Sequence, residues 1–430
     1  MSPTSRKLEP QTGWKTTRSL LLCGASVRSL AESAIAAGLR PLCVDFFEDG
    51  DLRHILCAGR GRFVGRIDTF TQLPKLVHSI RRKIPLLWSG GLENHSILLR
   101  EIARHRPMIG AEPACVDLLR DPWKLKTWLG EGTMRVPRLA STARADVDCL
   151  WLKKSVSSSG GLGIGLPTSA DDTATTAPLR GSYLQEYIDG VPMSALLCSD
   201  VTGVHLFGMA LQVIGWPSLG ASGFLFCGNV GPVDPGSEVT QQVVAAARTI
   251  VEHSGIKGVF GIDFVLRQGQ AWFIEVNPRI TASHMLYELQ QPGLVTHRHL
   301  AALGWKSKPP RRSLEQQVPR SLETFSTVAA RLILWAREDV RIPKSFGLES
   351  DGPLKIADRP QPGTVVPRSS PLCSIMITAE NVANIIQQLL DIEKSRKANG
   401  NRTFRKLAEF GYSMSSIVAQ LQLLMKKFAR

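Results

Sequence analysis

Apolar and polar positions alternate in blocks along the first part of the chain. An apolar run at 19–23 predicts a buried strand, and residues 27–37 have the apolar spacing of a helix that ends at Gly38. Further strand and helix patterns follow at 40–47, 71–83 and 84–88. This rhythm of strand and helix predicts a parallel sheet within residues 19–115.

The middle of the chain has shorter blocks that favour antiparallel strands. Residues 150–167 predict a strand that enters a loop of serine and glycine, and residues 259–279 predict a hairpin that turns at 268–270. Further strands are predicted at 182–190, from there to about Ile214, and at 375–377. Helices are predicted at 237–253, 379–390 and 414–427. The predicted fold class is α/β, with α+β lobes after the first sheet.

Composition agrees with a folded, multidomain chain. The protein has 430 residues, of which 43 % are hydrophobic and 21 % are charged, which excludes a disordered or a fibrous protein. We expect five segments: a flexible basic arm, an α/β domain, a two-lobed domain, a basic proline-rich linker and a small mixed C-terminal lobe that ends in helices. Their predicted bounds are 1–18, 19–115, 116–303, 304–320 and 321–430.

The charge is strongly positive, at +15, and it is unevenly placed. The arm at 1–18, the linker at 304–320 and the tail at 394–430 hold the whole excess, so the rest of the chain is neutral overall. A basic nucleic-acid-binding protein is therefore a remote alternative, because no zinc-finger, RNA-recognition or helix-turn-helix signature accompanies the charge. We predict no specific nucleic-acid partner.

The lengths of the apolar runs do not favour a secreted or a membrane protein. The first apolar run is too short for a signal-peptide core, and no stretch approaches the length of a membrane span, so we predict a cytoplasmic protein. No CxxC pair occurs among the eight cysteines, which predicts reduced thiols. The segment His297-Arg298-His299 predicts a surface helix rather than a metal site.

A dinucleotide site at the end of the first strand is the first chemical hypothesis. Gly24 and Asp45 stand where a turn glycine and a ribose-binding acid would stand. Ser26 and Ser29, however, occupy positions where the dinucleotide fingerprint requires glycine. We therefore do not favour this site.

The predicted hairpin carries a more specific set of side chains. Asp263 and Glu275 lie on its two arms, and Asn277 shares a face with Glu275 because side chains alternate along a strand. Two carboxylates and a carboxamide are oxygen ligands suited to Mg²⁺ that bridges phosphates. Arg279 follows on the same side, where a guanidinium stabilises an oxyanion or a phosphoryl group.

A second set of residues is suited to phosphate. The loop 157–163, with Ser159, Gly160 and Gly161, allows backbone N–H groups to approach phosphate closely. Lys153 or Lys154, just before the loop, supplies a positive charge, and the sequence does not decide between the two.

Taken in order, these motifs resemble the ATP-grasp superfamily of ATP-dependent ligases, over about 19–305. The resemblance implies a pre-ATP-grasp domain at 19–115 and an ATP-grasp domain at 116–303. It implies that Lys153 or Lys154 and the glycine loop bind the phosphates, and that Arg279, together with Asn277, is catalytic and stabilises an acyl phosphate. It also implies Mg²⁺ (Mn²⁺ is the other candidate) on Asp263, Glu275 and Asn277. The adenine would bind at Gln185, Glu186, Tyr187 and Ile188.

Other segments resemble a narrower group. They include Gly91-Leu92-Glu93-Asn94, Arg120-Asp121-Pro122, residues 228–232 and residues 356–375. They are similar to ATP-grasp enzymes of one-carbon (methanofuran-type) cofactor biosynthesis, a group that includes tyramine–glutamate ligase. This resemblance implies glutamate as one substrate.

The favoured function is a carboxylate–amine ligase that acts through an acyl phosphate on small-molecule substrates. Glu93 and Asn94 are candidates for a substrate contact, and a helix cap with its turn is an equally weighted alternative for them. An ATP-grasp phosphotransferase is the alternative function. A homo-oligomer stays open, because the apolar stripe at 413–428 suits either the tail lobe or a partner subunit.

Overall fold

A computed structural model describes residues 17–81, 83–130, 133–141, 149–166, 181–305, 325–344, 346, 354–399 and 407–429, with 395–399 in backbone only. Most of the predicted basic arm at 1–18 and of the predicted linker at 304–320 lies outside the described residues. Within those described ranges, no helix is both long enough and apolar enough to cross a membrane.

The first domain contains the parallel sheet that the sequence predicts. Its four strands are arranged in the order β3-β2-β1-β4, and every pair is parallel. The strands are Ser19–Cys23 (β1), Arg40–Asp45 (β2), Arg62–Arg66 (β3) and Leu86–Trp88 (β4). The helices are Arg28–Ala36 (α1), Gly50–Ala58 (α2), Leu73–His78 (α3) and Ser96–Ala103 (α4). Gly38, with a φ of +81°, follows the end of α1, as its position predicts.

A small antiparallel sheet comes next. Helices Pro113–Leu119 (α5) and Pro122–Leu129 (α6) lead into it, and its strand order is β5-β8-β6-β7. The strands are Leu139–Ala140 (β5), Trp151–Ser155 (β6), Ile164–Gly165 (β7) and Ser182–Glu186 (β8).

A large antiparallel sheet of eight strands forms the centre of the molecule, in the order β13-β12-β9-β10-β11-β14-β18-β16. Its first five strands are Val191–Asp200 (β9), Gly203–Ile214 (β10), Phe226–Val233 (β11), Gly258–Arg267 (β12) and Gln270–Asn277 (β13). The C-terminal strands are Val328–Trp335 (β14), Leu354–Ala357 (β16) and Pro371–Ala379 (β18), and Val340–Arg341 (β15) pairs with Val365–Val366 (β17).

This sheet crosses the boundary that we predicted between the two-lobed domain and the C-terminal lobe. Strand β14 pairs with β11, so the C-terminal strands extend the sheet rather than form one of their own. The predicted hairpin is β12–β13, and its turn has positive φ at Gln268 (+52°) and Gly269 (+71°), as in the two-residue turns that match strand twist.

The helices that follow β11 in the described residues include five with defined bounds. They are Ser237–Ser254 (α7), His284–Glu288 (α8), Leu294–Ala302 (α9), Val382–Asn399 (α10) and Met414–Phe428 (α11). Helix α7 buries Val239, Val243, Ala246 and Ile250, whose spacing forms one apolar stripe. The predicted helix at 379–390 begins later, because Ala379 ends β18.

The expectation of a surface helix at His297-Arg298-His299 is wrong for His299. This side chain is buried, and its Nδ1 accepts a hydrogen bond from the backbone N–H of Val259 at 2.8 Å. Burial lowers the pKa of His299 to about 4, so the ring is neutral at pH 7 and anchors α9 to β12.

A group of poorly exposed charged residues joins the first domain to the C-terminal strands. In this junction cluster, Asp358 accepts hydrogen bonds from Arg28 Nε at 2.6 Å, Arg331 Nη2 at 2.8 Å and Ser374 Oγ at 2.5 Å. Asp51 in α2 accepts the backbone N–H of Asp358 at 2.9 Å. Burial opposes the charged form of Asp358, but the charges of Arg28 and Arg331 outweigh it and hold its pKa well below its ordinary value.

Candidate functional site

A cleft of about 510 Å³ lies between the small sheet and the large sheet. Lys154 of β6 and Gln185 of β8 line it on one side. Polar side chains from five neighbouring strands of the large sheet line the other side: Ser194, Gln212, Asn229, Asp263, Glu275 and Asn277. Most of the residues predicted for phosphate, metal and base therefore meet in one cavity.

The two carboxylates lie side by side at the floor of this cleft. Asp263 and Glu275 are directly paired across β12 and β13, next to a register shift that follows Asp263. Asp263 accepts hydrogen bonds from two neutral amides, Gln212 Nε2 and Asn277 Nδ2, both at 2.9 Å. Desolvation, and next the charge of Glu275, raises the pKa of Asp263 to about 8. The pair is thus short of positive charge.

This imbalance fits a divalent cation. Among the described residues, no group of three or more His, Cys, Asp and Glu side chains is placed to hold a metal. The donors here are instead two carboxylates and the Oδ1 atom of Asn277, which has a second lone pair beyond its bond to Arg279 Nη2 at 3.2 Å. Mg²⁺ typically binds one or two carboxylates and takes its other ligands from phosphate oxygens and water, so the donor set suits it.

Arg279 is held by a residue of the first domain. Its Nε and Nη2 both donate to Glu93 Oε1, at 2.9 Å and 2.7 Å. Burial opposes the charged form of Glu93, but the guanidinium outweighs burial, and the pKa of Glu93 lies below its usual value. Gly90 lies beneath the same guanidinium, because a Cβ at Gly90 would stand 3.5 Å from Arg279 Cζ. The loop after β4 therefore positions Arg279 at the cleft.

The predicted substrate contact at Glu93 and Asn94 is not supported by this placement. The Glu93 side chain has 0 % exposure and is occupied by Arg279. Asn94 accepts a hydrogen bond from Arg120 Nη2 at 2.8 Å through its Oδ1. Both residues act on arginines near the cleft rather than line it.

The glycine loop is folded onto the large sheet. Gly160 accepts the backbone N–H of Phe226 at 3.0 Å. Gly161 has a φ of +81°, and a Cβ there would lie 1.7 Å from the carbonyl oxygen of Phe224, so no other residue fits without a shift. Ser159, Gly160 and Gly161 all line the cleft.

The structure separates the two candidate lysines. Lys154 is buried, lines the cleft and donates from Nζ to Gln185 Oε1 at 3.0 Å. Lys153 projects to the opposite face of β6, because side chains alternate along a strand, and it does not line the cleft. The geometry therefore places only Lys154 where a phosphate in the cleft is within reach.

The predicted base-binding segment forms one end of the cleft, with Gln185, Glu186, Tyr187 and Ile188 all in its lining. Glu186 Oε2 accepts the backbone N–H of Arg138 at 3.0 Å. The Tyr187 ring stands edge-on to Phe224, with centroids 6.5 Å apart. This end is thus more apolar than the end that holds the carboxylates.

The prediction missed two residues of the site. Gln212 is the neutral donor to Asp263 described above. Arg120 donates from Nη2 to the backbone oxygens of Ser158 at 2.9 Å and Val156 at 3.2 Å, and its Nη1 lies 3.9 Å from Glu275 Oε2. Arg120 therefore connects the first domain, the glycine loop and the carboxylate pair. Arg120 stands in the segment Arg120-Asp121-Pro122 that resembles the narrower group, but nothing in that segment predicts a contact with the glycine loop or the carboxylates.

The dinucleotide alternative finds no support. A Cβ at Gly24 would lie 2.0 Å from Ser89 Oγ, so this glycine is required for packing. Asp45 has no exposed surface and accepts the backbone N–H of Glu48 at 2.9 Å within its own turn.

Comparisons with known proteins identify the fold. Residues 119–283 match the ATP-grasp domain family model. No curated protein matches the sequence significantly. Biotin carboxylase from Campylobacter jejuni, crystallised as a β-γ-ATP complex, superposes with a TM-score of 0.64 and 14 % identity, over 88 % of this chain and 91 % of that one.

Two further solved structures agree with this match. The biotin carboxylase domain dimer of Hydrogenobacter thermophilus 2-oxoglutarate carboxylase, in complex with MgADP, ADP and bicarbonate, gives a TM-score of 0.63 at 14 % identity, over 86 % and 89 % of the two chains. N5-carboxyaminoimidazole ribonucleotide synthetase from Thermus thermophilus gives 0.60 at 16 % identity, over 87 % and 98 %. The narrower one-carbon cofactor group stays a prediction. Residues 119–283 therefore match an ATP-grasp domain, and most of the chain shares the fold of these solved structures.

Proposed function

We propose that this protein is an ATP-dependent ligase that activates a carboxylate as an acyl phosphate and joins it to an amine. The observation that carries the proposal is the cation-deficient pair Asp263 and Glu275, which lies beside Arg279 in the same cleft as Lys154 and the glycine loop. These groups suit a nucleotide whose phosphates are neutralised at one end of the cleft.

The proposed reaction needs no nucleophilic side chain. A carboxylate oxygen of the substrate attacks the γ-phosphorus of ATP, the bond to the bridging oxygen breaks, and ADP leaves. The amine nitrogen then attacks the acyl carbon, the bond from carbon to the phosphate oxygen breaks, inorganic phosphate leaves with that electron pair, and the nitrogen loses a proton. Positioning and charge stabilisation are the work of the protein in such reactions.

Each cleft residue has a distinct role in this proposal. Lys154 supplies a positive charge to the phosphates, and the backbone N–H groups of the glycine loop donate to them. Arg279, which Glu93 holds in place, stabilises the charge on the transferred phosphoryl group and on the tetrahedral intermediate. Asp263, Glu275 and Asn277 would hold Mg²⁺, which supplies neutralisation of the phosphate charge.

The identity of the two substrates is the most detailed part of the proposal, and it rests on the resemblance to the narrower group. The narrower resemblance favours glutamate as the carboxylate and a tyramine-like or furan-methyl amine as the acceptor, as in methanofuran-type cofactor biosynthesis. Bicarbonate is a further carboxylate to include, because one structural neighbour is crystallised with it.

A screen for ADP release tests the proposal. The protein is incubated with ATP, Mg²⁺ or Mn²⁺, one carboxylate and one primary amine, and products are identified by mass spectrometry. We expect ADP, phosphate and an amide to form together, only when both substrates are present, and to disappear in Glu275→Gln. A stable phosphorylated product without an amide would instead establish the alternative phosphotransferase. Near-normal turnover in Glu275→Gln would contradict the metal assignment.

A further inference from the structure

The C-terminal helix α11 has two stripes of side chains that face different neighbours. Met414, Ile417, Val418 and Leu421 form the first stripe and are buried. Gln420, Leu423, Leu424 and Lys427 form the second stripe at the same helical spacing, and all four line the cleft. The basic tail of the chain is therefore part of the wall of the candidate nucleotide site.

Two polar contacts fix this second stripe to the cleft. Gln420 Oε1 accepts the backbone N–H of Ser218 at 3.1 Å, close to the cleft residue Trp216. Lys427 Nζ donates to Asp189 Oδ1 at 2.8 Å. Asp189 directly follows the segment 185–188, so α11 is attached at the base end of the cleft and not at the carboxylate end. The hydrogen bond from Lys427, and next its charge, lowers the pKa of Asp189.

The two leucines of this stripe differ in burial: Leu424 is partly buried and packs against the core, whereas Leu423 is largely uncovered. The Leu423 side chain is 68 % exposed, although it lines a cavity with the aromatic residues Tyr187 and Phe224. An exposed aliphatic side chain at the mouth of a cleft gains free energy when a flat apolar ring covers it.

We propose that α11 is a base-recognition wall: Leu423 and Leu424 contact the purine ring of the bound nucleotide, and the Lys427–Asp189 pair holds the helix in position. This inference rests on the proposed ATP-dependent function and adds a specificity-determining element to it. The phosphate chain contacts Lys154 and the glycine loop, so the wall acts on the base alone.

The test compares the binding of ATP with that of inorganic tripolyphosphate, which lacks a base, to the full chain with Mg²⁺ present. The comparison distinguishes contacts at the base end of the cleft from contacts at the phosphate end. In Leu423→Asp we expect the dissociation constant for ATP to rise about 5–20-fold, while that for tripolyphosphate stays within about twofold of wild type. Gln422→Asp is the matched control, because Gln422 is exposed on the neighbouring face of the same helix and does not line the cleft. It should leave both constants unchanged.

The ion pair is tested by charge reversal. Lys427→Glu should weaken ATP binding about threefold, the double variant Lys427→Glu with Asp189→Lys should restore it, and Lys426→Glu should have no effect. Unchanged ATP affinity in Leu423→Asp, or an equal loss for ATP and tripolyphosphate, overturns the base-recognition wall. If the wild-type chain binds neither probe, the proposed function itself is contradicted and this inference falls with it.

Discussion

The cleft and the junction cluster both hold acidic side chains out of bulk solvent, and they solve the resulting electrostatic problem in opposite ways. At the junction, Arg28 and Arg331 pair with Asp358 directly, and its pKa lies below the ordinary value. In the cleft, Asp263 accepts hydrogen bonds from two amides, and burial and the adjacent Glu275 outweigh the charge of Arg279, so its pKa is raised to about 8. The charge of Asp358 is thus compensated within the protein, although burial raises the pKa of the neighbouring Asp49 and Asp51. At Asp263, burial and the charge of Glu275 outweigh the positive charge nearby, and the pair suits an added cation.

This difference separates a structural role from a binding role. A carboxylate that the fold neutralises stabilises the fold, and removing it leaves arginines uncompensated. A carboxylate that the fold leaves without a cation lowers stability and is kept for what it binds. Substitution of the two aspartates should therefore change stability in opposite directions.

The largest expected effect is on catalysis, in Asp263→Asn. We expect ADP release to fall by at least about a thousandfold, because the site proposed to hold the divalent cation loses one of its two carboxylates. Without divalent cation at pH 9, we expect the folded state to be more stable by about 1 kcal/mol or more, because a buried charge and its repulsion with Glu275 are removed. Coupled activity assays and urea unfolding measure the two quantities.

The control for Asp263→Asn is Asp234→Asn, since Asp234 lies beyond the cleft at the end of β11. It should leave turnover unchanged. A clear loss of stability in Asp263→Asn under the same conditions would show that Asp263 is compensated after all, and the comparison with the junction would fail.

The next effect is on stability, in Asp358→Asn. Loss of this carboxylate removes the ion-pair partner of the half-buried Arg331 and leaves Arg28 with Glu32 and Asp51, so we expect a loss of about 3–5 kcal/mol in the free energy of unfolding. The activity of the remaining folded protein should change little, because the junction does not line the cleft. Stability within about 1 kcal/mol of wild type would contradict the role of the cluster.

The same substitution has a predicted pH dependence. The pKa of Asp358 is lower in the folded state than in the unfolded chain, so its stabilisation is present above pH about 4 and is lost as the pH falls further. The difference in unfolding free energy between wild type and Asp358→Asn should therefore shrink from pH 5 to about pH 3. A difference that grows toward acid would mean that the sign is wrong.

Local patterns predicted one of these two regions and missed the other. Asp263, Glu275 and Asn277 belong to one hairpin, so strand alternation and the turn at Gln268-Gly269 were enough to place them on one face. Asp358 and Arg28 are 330 positions apart, and no periodicity connects them. The same limit applies to Arg279 and Glu93, 186 positions apart, whose pairing exists only through tertiary packing.

The C-terminal part shows the limit at the level of the fold. Its strand β18 was predicted in part, from residues 375–377. The pairing of β14 with β11 joins segments about 100 residues apart, and the apolar pattern of either segment alone does not predict it. Helix α11 was predicted correctly as an element. That its second stripe lines the cleft depends on tertiary packing, which the helical pattern does not show.

A smaller effect is expected in Arg120→Ala, an arginine for which the sequence predicted no role in the cleft. It loses the hydrogen bonds to Ser158 and Asn94, so the glycine loop is held less firmly over the phosphates. We expect kcat/KM for ATP to fall about 10–100-fold, with stability within about 1–2 kcal/mol of wild type. Arg100→Ala, which removes an exposed pair with Asp117, is the control. Equal effects of the two substitutions would deny Arg120 a part in the site.

The smallest effect distinguishes the two adjacent lysines. Lys154→Met removes a charge that lies in the cleft and should weaken ATP binding about tenfold, whereas Lys153→Met, on the opposite face of β6, should change it less than about twofold. Titration of ATP against both variants measures this ratio. If Lys153→Met weakens binding as much as Lys154→Met does, strand alternation has not separated the two lysines. The phosphate contact then cannot be assigned to Lys154 alone.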